Sequence, residues 1–358
     1  MGFSIRHAIE IAGPRDHRAE PARAGGIVSR MPTTHRQPAE RHQALTIERR
    51  RQGRGFSYHR NGRPIRDRHT IERLARLAVP PAYVDVVYSA SPSAPLQAMG
   101  RDAAGRWQYR YHSDWVKVRE RRKRRHLVRL IEALTRIRRA VNGVIATRKP
   151  SREFAMATAI ALIDATGIRA GTSWHARLSG ARGAVTMLKS SVRISGRSLT
   201  LSFKAKGGKH VVKNVTAPRL IPAIKLLLRL PGPRLFAYQA DDQVRTIRAR
   251  DVNAFLCDVA SCKISLKDFR TLRASLNVVE TLARIERGGS ERRRKRQVKE
   301  AVAVAAEDLA NTVTICRKSY VPDAVVEAFE KGTLTKPSGG HPAPARQILT
   351  EVISQADR

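Results

Sequence analysis

The sequence predicts an α+β fold: a small β-rich N-terminal domain, followed by a mainly α-helical domain with a β-hairpin inserted in it. Three observations carry that reading. Between residues 45 and 114, short apolar runs alternate in steps of two and are broken by turn residues. From residue 115 onward the apolar residues recur every three or four positions through long segments. Around 184–216 the period falls back to two before the helical period returns.

Residues 1–44 are rich in Arg, Ala, Gly, Pro and His without a sustained period, which predicts a disordered basic arm, with Met31 as an alternative start. The first domain is placed at 45–114. Phe56 and Tyr58 lead into a turn at Asn61-Gly62, a hairpin signal. A short helix over Thr70 to Ala78 is stopped by Pro80-Pro81. Strands follow at Val84 to Tyr88, Leu96 to Met99 and Trp107 to Tyr111, the last two joined by the turn Asp102-Ala103-Ala104-Gly105.

The second domain is placed at 115–334. Val118, Leu127, Leu130, Ile131, Leu134, Ile137, Val141 and Ile145 fall at helical spacing among many arginines over 116–146. Pro150 and Ser151 open a further helix, Phe154 to Ile168, expected to end at Gly171. Val192 and Ile194 face Leu199, Leu201 and Phe203 across Gly196-Arg197. The segment Lys206-Gly207-Gly208-Lys209 makes a second turn before Val211-Val212. Helices resume over 219–230, 250–260, 267–286 and 296–310, and 335–358 is expected to be a flexible tail.

Charge narrows the partner. The 358 residues hold 69 Lys+Arg against 30 Asp+Glu, a formal net charge of +39. Self-repulsion of that size calls for a polyanion, with nucleic acid ahead of an anionic membrane surface. No stretch approaches about eighteen consecutive apolar residues, so no membrane span is expected. The first twenty residues lack the apolar run of a secretory signal. Cys257, Cys262 and Cys316 have no metal-ligand spacing and read as free, mostly buried thiols in a reducing compartment.

Several residues have the chemistry of phosphate handling. Tyr320 follows Arg317-Lys318, and a phenol attacks poorly at neutral pH unless cations and donors stabilise the charge that develops. Lys267 and Arg270 stand three apart, on one face of a helix. Arg169 falls at the end of a helix, where the helix dipole alone would also favour it. Lys206 and Lys209 flank two glycines in a turn able to approach a backbone closely. Taken singly, each reads as a solvated charge or a core tyrosine.

Together and in this order they resemble a family. From about Leu45 to Leu334 the chain is similar to the bacterial relatives of the poxvirus-type IB DNA topoisomerases. In the first domain the resemblance rests on Arg54-Gly55-Phe56-Ser57-Tyr58, Val79-Pro80-Pro81-Ala82-Tyr83, Leu96 to Asp102 and Gln108 to His112. In the second it rests on Gly167-Ile168-Arg169, the Lys206 hairpin, Arg250-Asp251-Val252-Asn253, Lys267 to Thr271 and Asn311 to Val321.

The resemblance implies the catalytic fold shared by these enzymes and the tyrosine recombinases. It also implies relaxation of supercoiled double-stranded DNA by a monomer, through a 3′-phosphotyrosyl link to Tyr320. No metal, ATP or other nucleotide cofactor is implied, nor a membrane, and the implied location is cytoplasmic, at the nucleoid. Arg169 and Arg270 would contact the nonbridging oxygens, Lys206 would protonate the leaving 5′-oxygen, and Asn311 would donate to an oxygen where some members have histidine. Gln108, Tyr109, Tyr111, Lys209 and Lys267 would touch DNA, although one tyrosine of the 109/111 pair could instead pack a sheet face. The implied picture is a clamp of two lobes around the duplex.

Two departures stand out. Ala170-Gly171-Thr172-Ser173-Trp174-His175 replaces the family's Gly-Asn-Glu-Glu-Tyr, and Leu272-Arg273 replaces Trp-Ala. A recombinase-like strand transferase and a non-catalytic basic DNA-binding protein are the competing readings. Lys267 speaks against the first, since recombinases carry histidine there. The ordered set Arg169, Lys206, Arg270, Asn311 and Tyr320 speaks against the second, because charge binding alone does not need it.

Overall fold

The computed structural model describes residues 45–241, 243–334 and 345–356. The basic arm expected over 1–44 lies outside the described residues. The described chain forms two compact units that part between Arg121 and Arg122, each with a core of its own.

The first unit is a six-stranded antiparallel sheet with one helix inserted. Its strands are β1 (Leu45–Gln52), β2 (Gly55–Arg60), β3 (Arg63–Pro64), β4 (Val84–Ser89), β5 (Leu96–Arg101) and β6 (Trp107–Tyr111), in the order β3-β2-β1-β4-β5-β6. The predicted Asn61-Gly62 turn joins β2 to β3. Both residues take positive φ, 51° and 78°, between the paired Arg60 and Arg63, the two-residue loop whose twist matches the strands. Helix α1 (Arg68–Arg76) starts where the Asp67 carboxylate accepts from the Thr70 N–H at 2.8 Å. Its Leu74 meets Ile47, Tyr58, Val86, Tyr88 and Ala98 in the unit's core. The division between units falls beyond residue 114 because helix α2 (Ser113–Ala146) begins in the first unit, where the Arg119 guanidinium lies 5.7 Å from the centre of the Tyr111 ring.

The second unit is mainly helical. Helix α3 (Arg152–Thr166) is capped by Ser151 and stops at Gly167, earlier than the expected Gly171. Gly167 adopts the left-handed conformation, φ 65°, and its N–H closes on the Ile163 carbonyl, so the chain leaves the helix before Arg169. A short helix α4 (Ser173–Ser179) follows. The period-two segment folds as β7 (Val192–Ser195), β8 (Ser198–Lys204) and β9 (His210–Thr216), an antiparallel sheet in that order. Then come α5 (Leu220–Arg229), a hairpin of β10 (Ala237–Ala240) and β11 (Gln243–Thr246), and α6 (Ala249–Ala260), α7 (Leu266–Ala283) and α8 (Glu291–Asp308). Helices α9 (Val313–Tyr320), α10 (Asp323–Lys331) and α11 (Ala345–Ala356) complete the described chain.

The expected flexible tail is therefore corrected over 345–356. Ile348, Leu349, Val352 and Ile353 form one buried helical stripe, and docking that stripe against the core orders the segment. Cys316 is buried and Cys257 and Cys262 are half-buried, all three as free thiols. No helix among the described residues is long and apolar enough to cross a membrane.

Candidate active site

Tyr320 is the last residue of α9. That helix begins because the Thr312 hydroxyl accepts from the Ile315 N–H at 3.3 Å, which satisfies one of its orphan donors. The Tyr320 side chain is only 7% exposed. Its main chain is pinned by the Ser275 hydroxyl of α7, which donates to the Tyr320 carbonyl at 3.2 Å, and by the Lys123 ammonium, which donates to the next carbonyl, Val321, at 2.9 Å.

Arg270 meets it from α7. Its Nε donates to the Tyr320 hydroxyl at 3.3 Å, and its guanidinium carbon lies 5.0 Å from the ring centre. The guanidinium is itself buried, 3% exposed, and aimed by two carbonyls: that of Gly167 at the end of α3, and that of Leu309 after α8, at 3.0 Å. Burial pushes this guanidinium below its ordinary pKa, with the charge of Arg169 acting the same way and Tyr320 opposing. Lys267, one turn earlier and exposed, places its ammonium 5.9 Å from the Tyr320 ring centre. The predicted shared face of Lys267 and Arg270 is therefore the face turned to Tyr320.

These cations act on the phenol. Burial alone would raise its pKa, but the charge and hydrogen bond of Arg270, with Arg169 and Lys267 behind them, outweigh burial and hold it below its ordinary value. A phenol held low gives more phenolate near neutral pH, which a tyrosine nucleophile needs.

Arg169 and Asn311 form a second pair. The Arg169 guanidinium donates to the Asn311 side-chain oxygen. That contact fixes which end of the amide is which, and leaves the Asn311 Nδ2 buried without a partner among the described residues. An unsatisfied buried donor costs about 1–3 kcal/mol, so this one is poised for an acceptor. Arg169 is set by its backbone: its carbonyl accepts from the Ala184 N–H at 2.8 Å, and a Cβ on Gly183 would stand 2.3 Å from that carbonyl oxygen. Only glycine lets the two strands of this loop approach so closely.

A cavity between the end of α3, the β8–β9 hairpin and the end of α8 is lined by Arg169, Arg182, Lys213 and Arg270 against the one carboxylate of Asp308. An excess of cations in a partly desolvated hollow suits an anion.

Lys206 and Lys209 are not brought to the tyrosine by any contact. They stand exposed on the turn between β8 and β9, closed by the Ala205 N–H to the Lys209 carbonyl at 2.7 Å, with Gly207 and Gly208 at φ 82° and 78°. Gln108, Tyr109 and Tyr111 belong to the first unit. Gln108 donates to Asp102 at 2.8 Å, and Asp102 is held down at about pKa 2 chiefly by its hydrogen bonds from Arg106. Tyr109 and Tyr111 are both half-buried and stack with ring centres 6.3 Å apart, so they share one face of the sheet. Arg317, expected to help draw a phosphate, is paired with Asp323 at 2.7 Å. Asn253 is committed to structure: its side-chain oxygen accepts from the Leu266 N–H at 2.9 Å at the start of α7.

Sequence reasoning missed Asp308, Lys213 and the packing role of Gly183. One signal was present. Asp308 falls on the same helical stripe as Ala301 and Ala305, where an acid is out of place unless paired.

Within the helical unit the guanidiniums of Arg169 and Arg270 are gathered at the buried Tyr320, and the Lys206 turn stands in solvent. The family described as the catalytic core of eukaryotic DNA topoisomerase I matches residues 112–336, and the bacterial DNA topoisomerase IB N-terminal domain matches residues 55–102. The chain belongs to the type IB DNA topoisomerases, which are isomerases with DNA as substrate. It is similar to the DNA topoisomerase 1B of Acanthamoeba polyphaga mimivirus, 28% identical over 268 residues, which are 73% of this chain and 80% of the relative.

Proposed function

We propose that the enzyme relaxes supercoiled DNA by transient cleavage of one strand at Tyr320. The Tyr320 phenolate, its proton lost to solvent, attacks the scissile phosphorus. A bond forms between phosphorus and Oη, and the bond from phosphorus to the 5′-oxygen breaks. Lys206 gives its Nζ proton to that departing oxygen, so the released strand ends in a 5′-hydroxyl. Arg169 and Arg270 hold the nonbridging oxygens with the fork geometry that lysine lacks. The Asn311 Nδ2 donates to one of them but has no proton to transfer. After the free strand swivels, the 5′-hydroxyl returns its proton to Lys206, attacks the phosphotyrosine and releases Tyr320. The energy of the broken bond stays in the phosphotyrosine, so resealing draws on no ATP, and the guanidiniums of Arg169 and Arg270 meet the phosphate charge in place of a metal. Lys209 and Lys267 contact the duplex from the helical unit, and Gln108, Tyr109 and Tyr111 contact it from the β-rich unit.

The observation that carries this reading is the contact of a buried arginine with a buried tyrosine, Arg270 Nε to Tyr320 Oη at 3.3 Å. It supports both parts of the scheme, a phenol held low by a cation and a guanidinium where the phosphate charge would be met. Relaxation of supercoiled plasmid in EDTA without ATP tests it. Wild type is expected to relax the plasmid, and Tyr320→Phe is expected to bind DNA but leave supercoiling intact. Relaxation by Tyr320→Phe would remove Tyr320 from the reaction.

A further inference from the structure

Beneath the Arg270–Tyr320 contact lies a charged network that the reaction scheme leaves without a task. Asp308, the last residue of α8, is 6% exposed. From α7, Arg273 grips it with two nitrogens, Nε to Oδ2 and Nη2 to Oδ1, the latter at 3.0 Å, and Asn277 adds a bond to Oδ2 at 3.3 Å. From β9, Lys213 reaches it with a buried ammonium, Nζ to Oδ1 at 2.8 Å, and donates also to the Asp308 main-chain carbonyl. Burial would raise the carboxyl, but Arg273 and Lys213 hold it far below the usual carboxylate range.

The placement of these partners matters. Lys213 pairs with Leu201 across the β8–β9 hairpin, and the turn of that hairpin carries Lys206. On the other side, Asp308 directly precedes Leu309, whose carbonyl aims Arg270, and stands three before Asn311, which holds Arg169. The Lys206 turn has no side-chain tether of its own. Its hairpin is held by Leu199, Leu201, Phe203 and Val211 in the core, which are non-directional apolar contacts, and by the Arg182 N–H donating to the Lys204 carbonyl at 2.7 Å. An apolar residue at 213 would pack with Leu201 and Val211 at least as well, since a buried ion pair seldom outperforms good apolar packing. What the ion pair adds is a fixed register between strand and helix.

We infer that the Lys213–Asp308–Arg273 network registers the Lys206 hairpin against the Arg169–Arg270–Tyr320 cluster, making Lys213 a positioning residue for protonation of the leaving 5′-oxygen. The inference rests on Lys206 being the general acid, so its test examines both. A duplex whose cleavage site has been mapped with wild type is made in two forms, one ordinary and one with sulfur in place of the bridging 5′-oxygen. The sulfur leaves as a thiolate, since a thiol has a pKa of about 8.5, and needs no proton donor. Single-turnover cleavage is measured for wild type, Lys206→Ala, Arg270→Ala and Lys213→Met, with melting curves to confirm folding. Lys213→Met is chosen because Asp308 keeps Arg273 and no charge is left buried alone.

Lys213→Met is expected to cleave the ordinary duplex at least about tenfold more slowly, a part of the ~10²–10⁴ that general-acid catalysis supplies, and the sulfur duplex near the wild-type rate. Lys206→Ala is expected to show the same rescue, and Arg270→Ala none. Slowing of Lys213→Met on both duplexes, or on neither, overturns the inference. Failure of the sulfur to rescue Lys206→Ala overturns the general-acid assignment and the inference together. If Lys213→Met melts below the assay temperature, Lys213→Arg, which keeps the charge and changes the reach, must show the same selective loss. Equal effects of Lys213→Arg on the two duplexes would refute the inference.

Discussion

Tyr320 is 7% exposed, hydrogen-bonded by a guanidinium that is itself buried, and fastened through its own carbonyl to α7. Lys206 and Lys209 stand in solvent on a glycine turn whose side chains hold nothing. Both regions belong to one helical unit, yet the first is buried and hydrogen-bonded and the second stands in solvent. The proposed scheme gives the difference a reason in what each region would do. A phenol has to be charged before it attacks, and only cations fixed in a low-dielectric surrounding lower its pKa without reorganisation at the moment of reaction. A proton donor for the leaving oxygen has to make room for the strand to enter, so an exposed lysine on a short, glycine-rich turn serves it better.

The comparison breaks most sharply at Arg270. Arg270→Ala removes a donor aimed at the developing charge, a change worth about 10²–10³ in rate. It also leaves the Gly167 and Leu309 carbonyls unsatisfied, so a lowered melting temperature should accompany it. The pH profile gives the sign. Burial raises the Tyr320 phenol and Arg270 lowers it, so without Arg270 the phenol titrates at higher pH. Cleavage by Arg270→Ala should then keep rising with pH where wild type has levelled off, and single-turnover rates across alkaline pH measure this. A profile unmoved on the pH axis would mean that Arg270 does not tune the nucleophile.

The gentlest effect is expected on the exposed side. Lys209→Ala removes one charge and no packing, so it should weaken DNA binding uniformly and flatten the plot of log K against log salt by about 0.9. Titrations at several salt concentrations read that slope. An unchanged slope would take Lys209 off the phosphate path.

These two regions were also legible in the sequence to different degrees. Arg169, Lys206, Arg270, Asn311 and Tyr320 were legible as an ordered set through the resemblance to the type IB topoisomerases, which several blocks carry in order and spacing and no single one would. Their geometry was less readable. Gly167 was not recognised as the stop of α3, although its positive φ is what sends Arg169 toward Asn311. Arg273 was visible only as a departure from the family. Its meaning lies in Asp308, 35 positions away, and neither residue betrays a buried partner when read alone. Lys213 is hidden for the same reason, being one lysine among many that lie in solvent. The stripe of Ile348, Leu349, Val352 and Ile353 had helical spacing, but the Pro- and Gly-rich stretch before it obscured the pattern. Local periodicity was thus readable, whereas charge pairs made across the fold were not, since they depend on which elements meet.

In the proposed scheme Tyr320 alone forms the covalent bond to DNA, and trapping that bond tests it without relying on rates. A duplex with a short strand beyond the cleavage site loses the released fragment, so the adduct accumulates and can be digested and sequenced by mass spectrometry. The expected result is a nucleotide attached through a 3′-phosphate to Tyr320, a 5′-hydroxyl on the freed fragment, and no adduct with Tyr320→Phe. A 5′-phosphotyrosine, or an adduct on any other residue, would contradict it.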